Sequence, residues 1–387
     1  MDRQIVHMDL DAFYVSCTLL KMPKLRGKPL LIGGSSNRGV VTSASYEARK
    51  FGVRAAMPTK YAKQLCPDAI VLHGDFDLFS RYSDTVNEII AEKAPLFERA
   101  SIDEFYMDMS GMEKFHGSHL FTSELVKKVY NETGLPMSFG LSINKTVAKM
   151  CTNYAKPNGK LQIQQPQVQP FLDPQSIKNI PYLGEKTFRL LRRMSIKIIE
   201  TLRQLPVESM EELFGKNGIS IWQKANGIDI TPVQPYTSRK SISTEKTFDQ
   251  DTQDIKELKS LIVTMIEKVA FQLRQANLLC STIAVRIRYS NRDTENIQSK
   301  IPFTASDDIL ISKAHQLFDK LYQRRMLIRL IGVKLSNFVY GSHQIDLFTD
   351  NEKMVNLYQA MDKLKKRYDN PKMVRRAIGM TDHELDF

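Results

Sequence analysis

The chain has 387 residues, 42% hydrophobic and 25% charged, with 55 Lys and Arg against 43 Asp and Glu. That length predicts roughly two to four compact units rather than one enlarged core, and no apolar run is long enough to span a bilayer, which excludes a membrane-spanning protein. The net charge of +12 points to a polyanion, nucleic acid foremost, because Lys and Arg along a groove displace the counterions of phosphates; a merely soluble basic protein is the other reading.

The opening MDRQIVHMDLDAFY has acids within its first dozen residues and lacks the basic, apolar, small-residue order of a secretory leader. A cytoplasmic protein is expected. Cys17, Cys66, Cys151 and Cys280 lie far apart without a CxxC pair, which predicts neither a zinc site nor a disulfide framework. From residue 3, RQIVHMD reads as a strand, and the Gly-punctuated basic stretch GKPLLIGGSSNRGVVTSASYEARKFGVRAAMP reads as an insertion. A helix over about 76–93, strands LFERASI and FYMDM, a helix over about 119–133 and a strand PMSFGLSI follow.

Without the insertion this order is β-α-β-β-α-β, the split βαβ or ferredoxin-like arrangement, in which the third strand lies between the first two and antiparallel to both. The end of strand one, with Asp9, then meets the turn before strand three, with Asp103 and Glu104. Residues 156–175, rich in Pro and Gln, read as a boundary. Short helices follow, in IKNIPYLGEKTFRLLRRM, IIETLRQL and VESMEELFGKNGISIWQKANGI, and then a polar tether, QPYTSRKSIS. The β-α-β-β-α-β order recurs from STEKTF to LIRLIGVKLSNFV, and the tail holds QIDLF and an amphipathic helix, MVNLYQAMDKLKKRY.

Three carboxylates this close stay ionised only if positive charge joins them, so either a pKa rises or a metal binds. Oxygen-only ligands select hard ions such as Mg²⁺, and a pair of them about 4 Å apart activates an attacking oxygen and stabilises a leaving pyrophosphate. The plainer reading makes Asp103 and Glu104 a polar hairpin turn, with Asp9 or Asp11 capping the helix from Ala12. Asp11 is expected to be such a cap and Asp108 an exposed strand residue.

HMDLDAFY, TSASYEARKFGVRAAMP, SIDEFYMD, GLSINKTVAKM and AKPNG resemble the motifs of the Y-family DNA polymerases, in particular the bacterial DNA polymerase IV group, and the likeness runs to about residue 350. It implies a right-hand, α+β multidomain fold. The ferredoxin-like palm takes 1–10 and 78–167, small fingers 11–77, and a helical thumb with a helix-hairpin-helix 168–236. A linker at 237–244, a second βαββαβ domain called the little finger at 245–342, and a C-terminal tail at 343–387 complete it. Asp9, Asp103 and Glu104, with the Leu10 carbonyl, would hold two Mg²⁺ ions. Tyr46, Arg49 and Lys156 would contact the triphosphate, and Tyr14 would be the steric gate against a ribose 2′-hydroxyl.

For DNA, IPYLGEKTFRLL offers the helix start at Gly184 to a phosphate, although Tyr182 stands where the pattern has Gly. Alternation places Arg286 and Arg288 on one strand face, with Arg239, Lys240 and Lys246 flanking the tether; a solvated strand face is the competing reading. QIDLF, with Gln344, Leu347 and Phe348, resembles the peptide that binds the sliding clamp. The resemblance implies a monomer that extends a primer on template DNA with deoxynucleotides, at low fidelity, across damage and without proofreading. A nucleotidyl cyclase-like enzyme and a clamp-recruited, non-catalytic DNA scaffold are the rivals. Phe105, where relatives carry a small residue, has no evident consequence in the sequence.

Overall fold

A computed structural model describes residues 3–112, 117–235, 238–341 and 352–367. The chain divides into two units, Met1–Thr237 and Ser238–Phe387. In the first, β1 (Ile5–Leu10) is buried along its whole length because both its faces are covered. Val6, Met8 and Leu10 enter one apolar cluster together with helix α1 (Phe13–Lys21), while Ile5 packs on the opposite face with Tyr106, Ala148 and Val233. This split is the two-residue period of a strand.

The insertion forms β2 (Leu30–Gly33), β3 (Val41–Ala44), α2 (Tyr46–Lys50), α3 (Thr59–Leu65) and β4 (Ile70–Leu72). Its strands lie in the order β3-β2-β4 over their own core of Leu31, Val41, Ala48 and Ala62. Helix α4 (Phe76–Ala91), β5 (Phe97–Arg99), β6 (Glu104–Asp108), α5 (Ser118–Thr133) and β7 (Met137–Ser142) follow in the predicted order. Asp75 caps α4 by accepting the Leu78 N–H at 3.1 Å, and Gly134 ends α5 in the left-handed conformation, φ 72°, that a residue without Cβ adopts freely.

Three elements differ from the sequence reading: helix α6 (Lys145–Ala155), strand β8 (Lys160–Gln162), which pairs parallel with β7, and the short helix Val168–Leu172, the last two lying inside the stretch expected to be a boundary. The sheet order is β5-β6-β1-β7-β8, with β6 between β5 and β1 and antiparallel to both. The expected split βαβ arrangement is present. Helix α6 lies close on the sheet because of Gly140, where a Cβ would fall 2.3 Å from the Ala148 carbonyl and 2.6 Å from the Cys151 Cβ.

Helices α7 (Val168–Leu172), α8 (Glu185–Arg193), α9 (Ile199–Arg203), α10 (Val207–Phe214) and α11 (Lys216–Ala225) share a core around Leu172, Leu191, Ile199 and Met210 with Met150 and Cys151 of α6. The hairpin before α8 is entered by a single 3₁₀ turn, Ile177–Asn179, rather than by a full helix. Residues 227–234 then return to the first sheet. Asp229 accepts the Thr146 N–H (3.1 Å) and hydroxyl (2.8 Å), and the Gln234 N–H donates to Glu98 at 2.7 Å.

In the second unit β9 (Ser241–Thr252), α12 (Ile255–Gln275), β10 (Leu278–Tyr289), β11 (Thr294–Thr304), α13 (Asp307–Leu321) and β12 (Ile328–Tyr340) repeat the β-α-β-β-α-β order. Strand β9 begins at Ser241, so residues 241–244 of the expected tether are already strand. The sheet, antiparallel throughout, is ordered β11-β10-β12-β9. Ile283, Val285, Ile287, Ile331 and Val333 face the helices, packing on Ile262, Ile266, Leu310 and Phe318; the alternate Arg286 and Lys334 are exposed. Helix α14 (Glu352–Arg367) docks through Arg274, which forks onto Asp362 at 2.7 and 3.0 Å and lies over the Tyr358 ring. Among the described residues no helix is long and apolar enough to cross a membrane.

Candidate active site

The strand register sets Asp9 opposite Glu104, and the Leu10 N–H donates to the Asp103 carbonyl at 3.0 Å. The end of β1 and the β5–β6 turn are therefore joined, as the split βαβ order requires. Cross-strand partners share a face, so Asp9 and Glu104 look toward α6 with His7. Phe105 turns the other way, 0% exposed in the core opposite Met8. Its bulk is kept from the acids by strand alternation.

Asp9 is 4% exposed, and its carboxyl is pushed up to about 7, chiefly by burial, with Asp103 and Glu104 adding to the rise and Lys156 opposing it. The Lys156 ammonium lies 2.5 Å from the Asp9 carboxyl, and Lys149 of α6 lies 2.5 Å from Glu104. Burial also pushes Glu104 up, yet His7 and Lys149 outweigh it and hold that carboxyl well below the usual range. Burial pulls His7 down to about 4, so the ring is neutral near pH 7 and Lys149 is the charge that keeps Glu104 ionised. The His7 Nδ1 lies 2.9 Å from the Thr152 hydroxyl.

Among the described residues no three acidic, His or Cys side chains are gathered as a metal site. Asp9 and Glu104 are turned to their lysines, and the Asp103 carboxylate accepts from the Ser101 hydroxyl at 2.7 Å. The donor set nevertheless fits a hard cation. It is oxygen only, and a carboxyl raised chiefly by burial, with two like neighbours adding to the rise, is a place where added positive charge is favoured. Lys149 was not singled out in the sequence, although Asn144 as helix cap and Lys145, Lys149 and Thr152 at helical spacing were a signal for α6.

Tyr14 of α1 is half-buried among Phe13, Phe76 and Phe79, with ring centroids 5.5, 5.8 and 4.6 Å away. Burial, and after it the charge of Asp103, raises its phenol. Tyr46 and Arg49 share one face of α2, as their spacing predicts, with the guanidinium 4.7 Å from the ring centroid. The Arg49 Nε–H donates to the Ala44 carbonyl at 3.0 Å.

Asp11 corrects its reading as a helix cap. The N-cap of α1 is Ala12 without a side-chain bond, and Asp11, 1% exposed, accepts instead from Ser138, Asn158 and Tyr46. Asp108 is likewise not an exposed strand residue: it is half-buried and accepts the Ser110 N–H at 3.0 Å.

Gly184 is the N-cap of α8, whose exposed side carries Lys186 and Arg189. Tyr182 adopts φ 68°, a left-handed conformation that costs a non-glycine residue about 1 kcal/mol, which accounts for Gly in the usual pattern. In the second unit Arg286 and Arg288 do share the open face. Arg286, however, already pairs with Glu245 at 2.8 Å across the width of β12, where Gly332 leaves the space; a Cβ there would meet the Glu245 Cγ at 2.5 Å. Lys246 is in register with Ile331 and so lies on the helix side of the edge strand, not with the two arginines. Arg239 and Lys240 are exposed before β9. Gln344, Leu347 and Phe348 lie outside the described residues.

Residues 8–153 match the impB/mucB/samB family and residues 239–347 match that family's C-terminal domain. The chain is 32% identical over 370 residues to a protein named DNA polymerase IV from Dehalococcoides mccartyi strain CBDB1, covering 95% of each. It is 35% identical over 386 residues to the DNA polymerase IV of Desulfatibacillum aliphaticivorans, covering 98% of this chain and 97% of that protein. Among solved structures it resembles a Y-family DNA polymerase chimera, with a TM-score of 0.77 and 27% identity over 87% of this chain and all of the other.

Proposed function

Since the chain belongs to the Y-family DNA polymerases, represented by the impB/mucB/samB family, we propose how its residues divide the work of that chemistry. The protein is a DNA-directed DNA polymerase of the low-fidelity, translesion kind. DNA and deoxynucleoside triphosphates are its substrates, and divalent metal is its cofactor.

Two Mg²⁺ ions are held by Asp9, Asp103, Glu104 and the Leu10 carbonyl. When bound they supply the charge that activates the primer 3′-hydroxyl and steadies the departing pyrophosphate. The chain's own groups bind and align. Lys156 leaves Asp9 for the triphosphate, Arg49 forks onto its oxygens and Tyr46 donates its hydroxyl. The Tyr14 ring, braced by Phe76 and Phe79, fills the place of a ribose 2′-hydroxyl. The primer oxygen then attacks the α-phosphate in line, and the rate enhancement comes from positioning and from neutralised charge.

Residues 1–10 and 78–167 act as palm, 11–77 as fingers, 168–236 as thumb and 245–342 as little finger; the recurrence of the β-α-β-β-α-β order in two units supports this division. Gly184, Arg239, Lys240, Arg286 and Arg288 contact the DNA backbone; Lys246, on the helix side of β9, is not among them. Gln344, Leu347 and Phe348 recruit the sliding clamp, which raises the local concentration of enzyme at its template. The enzyme works as a cytoplasmic monomer.

The observation that carries this reading is the cross-strand pair of Asp9 and Glu104, the first buried and the second half-buried, each beside a lysine, with the half-buried Asp103 in the adjoining turn. A nucleotidyl cyclase has no use for a second unit with an exposed basic strand face, and a scaffold has none for buried acids. Primer extension on a short primed template, with and without Mg²⁺, tests it. Metal-dependent addition of the templated base is expected; a protein that binds the primed template with Mg²⁺ present and leaves the primer unextended would sink the assignment.

A further inference from the structure

Asp11 is the least accessible acid near the candidate site, at 1% exposure, and its hydrogen-bond partners are all neutral groups. Ser138 of β7 offers its hydroxyl to both carboxylate oxygens, at 3.0 and 2.8 Å. The Asn158 N–H donates at 2.8 Å, and the Gly159 N–H donates to the Ser138 oxygen at 3.2 Å. These bonds fix the turn that follows Lys156. The remaining partner is the Tyr46 hydroxyl, at 3.2 Å.

That last bond differs from the others. A phenol carries one proton, and 3.2 Å is long for an O–H···O bond. While the proton points at Asp11, Tyr46 presents only lone pairs to an approaching anion. Burial and the Asp11 charge raise the Tyr46 phenol, so the proton stays on its oxygen and the group reaches a phosphate by turning, not by ionising.

We propose that Asp11 is a positioning residue for the incoming triphosphate: it sets the turn that presents Lys156 and holds the Tyr46 hydroxyl in a bond released when a phosphate oxygen takes its proton. No bond other than these hydrogen bonds changes. The inference rests on Tyr46 and Lys156 being triphosphate ligands, and it adds a residue that touches neither metal nor nucleotide. One buried carboxylate thereby links the strand β7, the turn after α6 and the helix α2.

Steady-state insertion of a single deoxynucleotide into a primed template provides the test. Asp11→Asn keeps the size but leaves one accepting oxygen where the carboxylate has two, so the Asn158 N–H and the Tyr46 hydroxyl no longer each find their own acceptor; it is expected to raise KM for the nucleotide about tenfold while kcat changes less than about threefold. Tyr46→Phe is expected to raise KM about fivefold, and the double variant to fall well short of the product, near the Asp11→Asn value, because the two share one bond. Ser138→Ala, which removes only a hydroxyl, is expected to raise KM about threefold and carries the test if Asp11→Asn does not fold. A wild-type KM in Tyr46→Phe overturns the ligand assignment on which the inference stands. A raised KM in Tyr46→Phe beside wild-type KM values in Ser138→Ala and Asp11→Asn overturns the inference alone, as does a fall in kcat with KM unchanged.

Discussion

The two units run through the same order of elements and close different sheets. In the first, the hairpin's second strand, β6, turns inward beside β1; in the second, β11 turns outward to the edge and β12 takes the place beside β9. With strands about 4.8 Å apart, β11 is then about 14 Å from β9, so a turn acid in the second unit cannot meet the end of its first strand. Asp293, in that turn, pairs with Arg324 at 3.0 Å instead. The apolar content of each strand explains the difference. IVHMDL is buried at every position and needs a covered, central place, whereas SISTEKTFDQDT is mostly polar and tolerates an edge.

The largest expected effect comes from exchanging the acids of the two turns. Asp103→Ala should lower primer extension by at least about 10³-fold with DNA affinity retained, and Asp293→Ala should stay within about twofold. Equal losses in the two variants would erase the distinction between the hairpins. Next come two close-packed sheet glycines, one in each unit. Gly140→Ala forces a Cβ into helix α6 and should destabilise the first unit by about 3 kcal/mol. Gly332→Ala meets the Glu245 Cγ at 2.5 Å and the Thr244 carbonyl at 3.1 Å, both on the edge strand β9 rather than on a helix packed over the sheet, and should cost about 1–2 kcal/mol, while loosening the Arg286 pair. Denaturant midpoints of the two variants decide this.

DNA binding sharpens the contrast between a sheet covered on both faces and one with an open face. Arg286→Ala with Arg288→Ala should reduce the salt slope of DNA affinity by about 2, and Glu245→Gln, which frees Arg286, should steepen it. Unchanged slopes in titrations across salt would remove the open face from the interface.

The smallest effect concerns how helices start. Helix α12 is capped locally by Asp254, which accepts the Lys256 N–H at 2.8 Å; α6 is bonded at its start by Asp229, from a distant segment. Burial pushes the Asp229 carboxyl up, but its bonds from Thr231 and Thr146 win and hold it below the usual range. The folded state therefore binds fewer protons than the unfolded one. The stabilisation is present above the unfolded value near 4 and is lost as pH falls through the folded value. Asp229→Asn should cost about 1.5 kcal/mol at pH 7, with the gap to wild type closing below about pH 4; Asp254→Asn should cost a few tenths, since Asn caps about as well as Asp. Melting curves across pH read both.

Much of this was legible in the sequence. The apolar periods of IVHMDL, FYMDM and PMSFGLSI give the strands of the first sheet, and the split βαβ order joins Asp9 to Asp103 and Glu104. The spacing of Tyr46 and Arg49 gives a shared helix face, and the alternation in AVRIRYS gives the face of Arg286 and Arg288. Helix α6 was missed because its pattern follows a strand at once with only Asn144 as punctuation. Strand β8 was missed because three residues between Pro-rich stretches carry no period.

What the sequence determined by itself is most of the elements, α6, β8 and α7 excepted, and the chemistry of each side chain, because periodicity and capping are local. What only the tertiary structure decided is which side chains share a bond. The inward turn of one hairpin and the outward turn of the other, Lys149 on Glu104, and Asp11 on Ser138 and Tyr46 all join residues far apart in the chain. Such contacts follow from how covered faces pack and where buried polar groups find partners, and no local pattern records either.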